Sequence, residues 1–169
     1  MAMENEKAWY ALYVKSRSEK KVAAQLEGEG IEFYLPLEQR LKQWSDRKKW
    51  VEEPLFRSYI FVHISEKDYF RTLVVHGAVR YVTFEGKAVR VPPQQIEAIK
   101  LYLNEKEPVS TDQEHWEVGQ KVEVLSGKLT GLQGKLVDVK GKKKVRIMID
   151  VVNSALYLNL PKNQLRVIP

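Results

Sequence analysis

The stretch Glu105 to Glu114, EKEPVSTDQE, limits the fold of this 169-residue chain more than any other. It holds one proline and polar residues with no apolar period, so it has nothing to bury and reads as a linker. Its two flanks differ in kind. Before it, aromatic and β-branched runs alternate with segments of helical spacing. After it, short strand-like runs follow one another, punctuated by Gly, Asn and Lys. The reading is therefore a first domain over residues 1–104, a linker over 105–116 and a second domain over 117–169.

In the first domain, Trp9 to Val14 is bulky and β-branched and predicts a buried strand. The helix after it has Ser16 or Ser18 as a candidate cap, Val22, Ala23 and Leu26 near helical spacing, and Gly28 and Gly30 as stops. Residues 31–56 predict strand, turn, strand, with Ser45, Asp46 and Arg47 at the tip. RSYIFVHI predicts the next strand. A helix follows, capped by Ser65, with Tyr69/Leu73 and Phe70/Val74 at i, i+4 spacing and Gly77 as its stop. A hairpin about Glu85-Gly86 and a helix opening at Pro92 or Pro93 complete the domain. Strands alternating with helices, one connection being a hairpin, predict an α+β fold: a mostly antiparallel sheet with flanking helices.

The second domain shows QKVEVL, LQGKLVDV, KKVRIMID and ALYLNL. Four or five short strands in about 50 residues predict a small SH3-like β-barrel. Val145, Ile147 and Ile149 alternate with Arg146, Met148 and Asp150, as a half-buried strand requires. The β-branched content of KKVRIMIDVV favours this over a helical hairpin. Gly127, Gly131 and Gly134 are expected to serve turns that need positive φ.

Charge divides along the same line. Residues 1–116 hold 18 Lys and Arg against 18 Asp and Glu, whereas residues 117–169 hold 10 against 4, so the whole net charge of +6 lies in the last third. Such asymmetry points to an anionic partner for the second domain.

Several classes of function are disfavoured. There is no cysteine, hence no disulfide scaffold and no thiolate metal site. No apolar run reaches the roughly 18 residues of a membrane span, and MAMENEKAWY does not read as a signal peptide, so a cytoplasmic location is expected. His63, His76 and His115 lie far apart without ligand spacing. HExxH, the nucleophile elbow and paired catalytic carboxylates are missing, and SGKLTGLQG lacks the Gly-Lys-Ser/Thr order of a phosphate loop. The expectation is a protein with no enzymatic activity, no cofactor and no metal.

The most informative segment is EEPLFRSYIFVHI, which puts Phe56, Tyr59 and Phe61 within six residues. Strand alternation sets Ile60 and Val62 on one face and Tyr59 and Phe61 on the other. Few helices are available to cover both faces, so one aromatic face is expected to be exposed as a grip for a partner. The alternative is a core strand that happens to be aromatic. Farther out, QRLKQWSDRKKW interleaves Arg47, Lys48 and Lys49 with Trp44 and Trp50. Cations neutralise phosphate and rings stack on unpaired bases, so this hairpin is a candidate DNA contact; a merely solvated hairpin is the alternative. Lys15, Arg17, Lys20 and Lys21 lie at a helix N-terminus, where cations oppose the dipole and local stability does not ask for them. Lys142 and Lys143 sit in a basic hairpin suited to RNA or a ribosomal surface.

VGQKVEVLSGKLTGLQGKLVDV resembles the KOW motif. AWYALYVKSRSEKKVAAQL, PLFRSYIFV and HGAVRYVTFEGKAVRVPPQQIEAI resemble three signature stretches of the NusG N-terminal domain. The four occur in the family's order and span nearly the whole chain. The resemblance implies a transcription elongation or antitermination factor that suppresses pausing or termination. Its partners would be bacterial RNA polymerase, at the clamp helices of the largest subunit, the non-template DNA strand, and, through the KOW domain, ribosomal protein S10 or Rho. It implies a polymerase site of Tyr13, Pro54, Leu55, Phe56 and Tyr59, with Phe84 as a lesser member, while Trp9 is expected in the core. Arg71 and Thr72 would touch the polymerase gate loop, and Lys15, Arg17, Lys20 and Lys21 would read DNA. Lys128, Leu129 and Leu132 of the glycine-rich turn, with Lys142 and Lys143, would meet the KOW partner. Arg57-Ser58 replaces the Pro-Gly frequent before the tyrosine, and Lys128-Leu129 replaces the usual aromatic. Both departures weigh against Rho as the KOW partner, and EPLFRSYIFV is nearer the specialised RfaH-like and UpxY-like branch, whose members act at few operons such as polysaccharide loci. A monomer is expected. KOW units also occur in ribosomal proteins, so an RNA-binding protein without polymerase affinity is the competing reading.

Overall fold

Strand β1 (Ala8–Val14) organises the first unit of the chain, because three other strands hydrogen-bond to it. The computed structural model describes residues 6–105 and 117–169, so the expected linker, except Glu105, and His115 lie outside the described residues. The chain forms two units that divide between Val91 and Pro92.

In the first unit, β2 (Glu32–Tyr34), β5 (Tyr59–Ile64), β1 and β6 (Ala78–Tyr81) lie side by side in that order, and β9 (Arg90–Val91) also pairs with β1. The β1–β5 register is antiparallel and sets Leu12 opposite Ile60 and Tyr10 opposite Val62. These residues share the inner face. Helix α1 (Glu19–Gly28) lays Val22, Ala23 and Leu26 into the same core. Each fully buried aliphatic side chain there contributes about 1.5–3 kcal/mol of transfer energy.

The expected capping hydroxyls do not cap: neither Ser18 nor Ser65 makes a side-chain cap bond. At α1, Glu19 Oε1 instead accepts the Arg17 backbone N–H at 3.1 Å. The second helix is shorter than its apolar spacing predicts, a 3-10 turn followed by α2 (Tyr69–Leu73). Its two apolar pairs part company. Tyr69 and Leu73 pack on the core. Phe70 and Val74 stay 73% and 81% exposed. Tyr81 stacks on Tyr69 at 4.3 Å, and its hydroxyl donates to the Tyr69 carbonyl at 2.8 Å. Burial pushes the Tyr81 phenol up to about 12.

Two hairpins stand apart from this sheet: β3 (Leu37–Gln43) with β4 (Lys48–Pro54), and β7 (Thr83–Phe84) with β8 (Lys87–Ala88). Among the described residues, each strand in them pairs only with its hairpin partner. The turn at Glu85-Gly86 has positive φ at both residues, as expected of a tight hairpin.

The second unit opens with α3 (Pro93–Asn104), which begins with a proline in its first turn as expected. The rest is all-β: β10 (Lys121–Val124), β11 (Gln133–Val139), β12 (Lys142–Ile149), β13 (Ser154–Leu158) and β14 (Leu165–Ile168). They form one antiparallel five-stranded sheet in the order β13-β12-β11-β10-β14. Val145, Ile147 and Ile149 are fully buried while Arg146 and Met148 are not, so the alternation read from the sequence holds. Helix α3 packs against β13. Glu105, just past its end, accepts the Asn159 N–H at 3.0 Å. Burial raises the Glu105 carboxyl above its ordinary value of 4.5, although Asn159 and Lys144 pull the other way.

One glycine serves a purpose other than the expected one. Gly127 and Gly131 have φ of +83° and +88° and do make turns, but Gly134 lies inside β11 without positive φ. A Cβ there would meet the Arg146 carbonyl oxygen at 2.6 Å. It is required by the close approach of β12, not by a turn.

Candidate functional site

The outer face of the β1–β5–β6 sheet carries the aromatic surface. Trp9, Ala11 and Tyr13 lie on this face of β1, opposite His63, Phe61 and Tyr59 of β5; Ala11 and Phe61 are fully buried there, and the other four are half-buried. The Tyr13 and Tyr59 rings meet edge to face, 5.6 Å apart at 68°. Arg80 of β6, directly opposite Tyr13, places its guanidinium 5.3 Å from the centre of the Tyr13 ring. With Thr83 these residues line an open cleft of about 440 Å³. Both tyrosines are half-exposed and Arg80 is exposed. The cleft thus offers two ring edges, two phenol hydroxyls and one delocalised cation, a set suited to an apolar ridge flanked by carboxylates.

The structure separates the aromatic residues that the sequence grouped together. Phe61 is fully buried and Phe56 is 7% exposed, and the two pack edge to face at 6.2 Å. Phe56 is therefore not the exposed ring expected, because it spends its surface on Phe61. Pro54 and Leu55 are half-buried at the end of the β4 hairpin, where the Leu55 N–H donates to the Pro36 carbonyl at 2.9 Å. Phe84 is 71% exposed at the tip of its hairpin. Trp9, expected in the core, lies half-buried on the outer face, stacked on His63 at 4.7 Å. His63 Nδ1 in turn lies 2.6 Å from Glu32 Oε2, which makes it a paired surface histidine.

Thr72 is fully buried and its hydroxyl donates to the Asp68 carbonyl at 3.0 Å, so it presents nothing to a partner in this conformation. Arg71 is exposed but held by Glu29 and Asp68. Arg80 was missed in the sequence. Strand alternation in AVRYV was the available signal, since a buried Tyr81 obliges Arg80 to face outward.

Lys15, Arg17, Lys20 and Lys21 are all exposed around the turn between β1 and α1. Arg17 holds a φ of 63°, a left-handed conformation uncommon outside glycine, which fixes the direction of that turn. Lys20 is partly engaged, since its ammonium donates to the Glu52 carbonyl at 3.0 Å. Arg47, Lys48 and Lys49 are exposed at the far end of the β3–β4 hairpin.

In the second unit Lys128 is exposed, but Leu129 and Leu132 are 7% and 8% exposed and belong to the core. Their expected partner contact is thus restricted to the backbone and to Lys128 in this conformation. Lys142 is exposed and Lys143 half-buried beside the Lys140-Gly141 turn, where Asp138 accepts the Gly141 N–H at 2.8 Å. Among the described residues no cluster of three or more His, Asp or Glu could hold a metal ion, and no helix is long and apolar enough to cross a membrane.

The comparisons with known proteins agree with this architecture. Residues 7–100 match the family model described as transcription termination factor nusG, and residues 118–150 match the KOW motif. A solved structure described as "Domain interaction in Thermotoga maritima NusG" superposes with a TM-score of 0.55 at 22% identity, covering 97% of this chain and 98% of that one. At that identity the likeness speaks for the fold. A second, described as "Crystal Structure of MjSpt4:Spt5 complex conformation B", covers 95% of this chain and 96% of that one at 17% identity, with a TM-score of 0.31 that carries no argument. The first family match spans more than half of the sequence and the KOW match follows it in order, so the chain belongs to the NusG family of transcription factors.

Proposed function

We propose that the protein is a transcription elongation or antitermination factor that binds bacterial RNA polymerase through its N-terminal domain and acts without enzymatic chemistry. The carrying observation is the solvent-facing Tyr13–Tyr59–Arg80 cluster on the open face of a NusG-type sheet. Aromatic residues and arginine dominate the energetics of protein interfaces. Pro54 and Leu55 extend the surface, and the clamp helices of the largest polymerase subunit are its partner. Arg71 and Phe84 add peripheral contacts. Phe56 supports the surface from inside by packing.

Exposed Lys15, Arg17, Lys20 and Lys21 favour contact with the non-template DNA strand. The family matches over residues 7–100 and 118–150 favour domains that act as residues 1–104 and 117–169 joined by 105–116, although helix α3 groups with the second unit by its contacts. The second domain carries the whole positive excess and recruits ribosomal protein S10, Rho or RNA through Lys128, Lys142 and Lys143. The EPLFRSYIFV stretch with its Arg57-Ser58 supports the specialised RfaH-like and UpxY-like branch, suppressing pausing or termination at few operons such as polysaccharide loci, and Lys128-Leu129 in place of the usual aromatic weighs against Rho as the KOW partner.

The test is binding of the full chain to purified RNA polymerase, wild type against Tyr13→Ala with Tyr59→Ala. A loss of about 2 kcal/mol or more with the fold intact supports the site. Equal binding rejects the site. A wild type that binds RNA but not polymerase moves the function to that of an RNA-binding KOW protein.

A further inference from the structure

The β3–β4 hairpin has two faces with opposite habits. One face carries Glu38, Arg40, Lys42, Lys49, Val51 and Glu53, and is laced by ion pairs of Arg40 with Glu38 and of Lys42 and Arg40 with Glu53. Arg40, Lys42, Glu38 and Glu53 satisfy one another there, and Lys49 stands beside them. On the other face Leu41 stands directly opposite Trp50, and neither is covered: they are 49% and 63% exposed. At the tip Trp44 is 43% exposed, and the Arg47 guanidinium lies 5.3 Å from its ring centre. The Trp44 N–H donates to the Arg47 carbonyl at 2.8 Å, which closes the turn and fixes that ring beside the cation. Lys48 and Lys49 have no carboxylate partner among the described residues.

A hairpin needs none of this for its own stability. A solvated two-stranded ribbon is served by cross-strand charge pairs such as those on the first face. Two exposed indoles beside unpaired cations are costly on a free surface and are the pairing of chemistries that single-stranded nucleic acid takes up: rings stack on bases, cations neutralise phosphates. A protein partner fits less well, because lysine is depleted at the centres of protein interfaces. A continuous duplex fits less well too, because its base faces are already stacked on one another.

We infer that the Leu41–Trp50 face and the Trp44–Arg47 tip form a stacking platform for unpaired nucleic acid, with Arg47 at the tip and Lys48 on the Trp50 face holding its phosphates. This deepens the nucleic-acid part of the proposed function and rests on it. Trp50 stacks on one base, Trp44 on another, and the platform distinguishes an opened strand from a duplex by the availability of base faces.

The experiment is fluorescence anisotropy of the full chain with a labelled oligothymidylate of about 12 nucleotides, within the usual span of such sites. A duplex of the same length is measured in parallel. The single strand is expected to bind at least five-fold more tightly than the duplex. Trp50→Leu keeps an apolar side chain opposite Leu41 but removes the ring, and it is expected to weaken single-strand binding five-fold or more without affecting the duplex. Trp50→Phe restores most of the loss. Arg47→Gln with Lys48→Gln leaves the Leu41–Trp50 pair intact and lowers the salt slope of single-strand binding by about 1.4. Equal binding of the two nucleic acids, or a neutral Trp50→Leu, overturns the inference. So does a Trp50→Leu variant that loses polymerase affinity and keeps its affinity for the oligonucleotide, which makes the face a protein surface. A wild type that binds polymerase but no single strand sinks the platform and leaves the polymerase reading standing. Single-strand binding without polymerase binding does the reverse.

Discussion

Tyr13 and Tyr59 sit directly opposite one another across β1 and β5, with their rings 5.6 Å apart and nearly perpendicular. One residue earlier on β1, Leu12 faces Ile60 in the opposite direction, and both are fully buried. A single residue step thus separates the core of the sheet from its exposed surface, as the two-residue period of a strand demands.

Phe56 and Tyr59 should respond differently to truncation. Phe56→Ala removes a buried ring packed on Phe61, and is expected to cost about 3–5 kcal/mol of stability in chemical denaturation. Tyr59→Ala leaves a half-exposed site and should cost much less stability while weakening partner binding. The reverse order of stabilities refutes the division of the aromatic residues into core and surface.

Gly134→Ala is expected to destabilise the second unit more than Gly131→Ala does. The new methyl group would meet the Arg146 carbonyl oxygen at 2.6 Å, and a paired strand backbone moves only with its neighbours. At Gly131 nothing lies within 4 Å, so only the strain of its φ of +88° must be borne. That strain is on the order of 1–3 kcal/mol. Thermal unfolding of the two variants ranks them.

Tyr81 predicts an alkaline limit. Its phenol is pushed up to about 12 from an ordinary 10.0, chiefly by burial, so the folded state holds the proton where the unfolded chain would lose it. Its contribution to stability is complete below pH 10 and is lost as pH rises through about 12. Tyr81→Phe should flatten that part of the pH–stability curve. It should also lower neutral-pH stability by about 1 kcal/mol through loss of the bond to the Tyr69 carbonyl.

Glu105 sets a second pH effect, in the acid range. Burial raises its carboxyl above 4.5, so its contribution is full below that value and declines as pH climbs through the raised pKa. Glu105→Gln keeps an oxygen to accept the Asn159 N–H and cannot ionise. The variant is expected to be at least as stable as the wild type at neutral pH and to lose the acid-range slope. A variant that is less stable at neutral pH and keeps the slope refutes the assignment.

Periodicity in the sequence locates β1, α1, β5, α3 and the strands of the second unit, because a strand or helix with one buried face must repeat its apolar residues at that element's period. The hairpin tips at Asp46 and at Glu85-Gly86 are legible for a local reason, since turn chemistry resides in the turn residues themselves. Helix α2 is where the same signal overreaches: Phe70 and Val74 keep helical spacing, yet only Tyr69 and Leu73 reach the core.

By itself the sequence determined the order of elements, the split of charge between the two halves, and which residues could share a strand face. Tertiary structure alone decided which of those faces reaches water. It buried Phe56 and exposed Tyr59, joined Arg80 to Tyr13 across strands 67 positions apart, and gave Gly134 to a backbone contact instead of a turn. The reason is physical: period and propensity are properties of neighbours along the chain, whereas burial, cation–π contact and steric approach depend on pairs that only the folded register brings together.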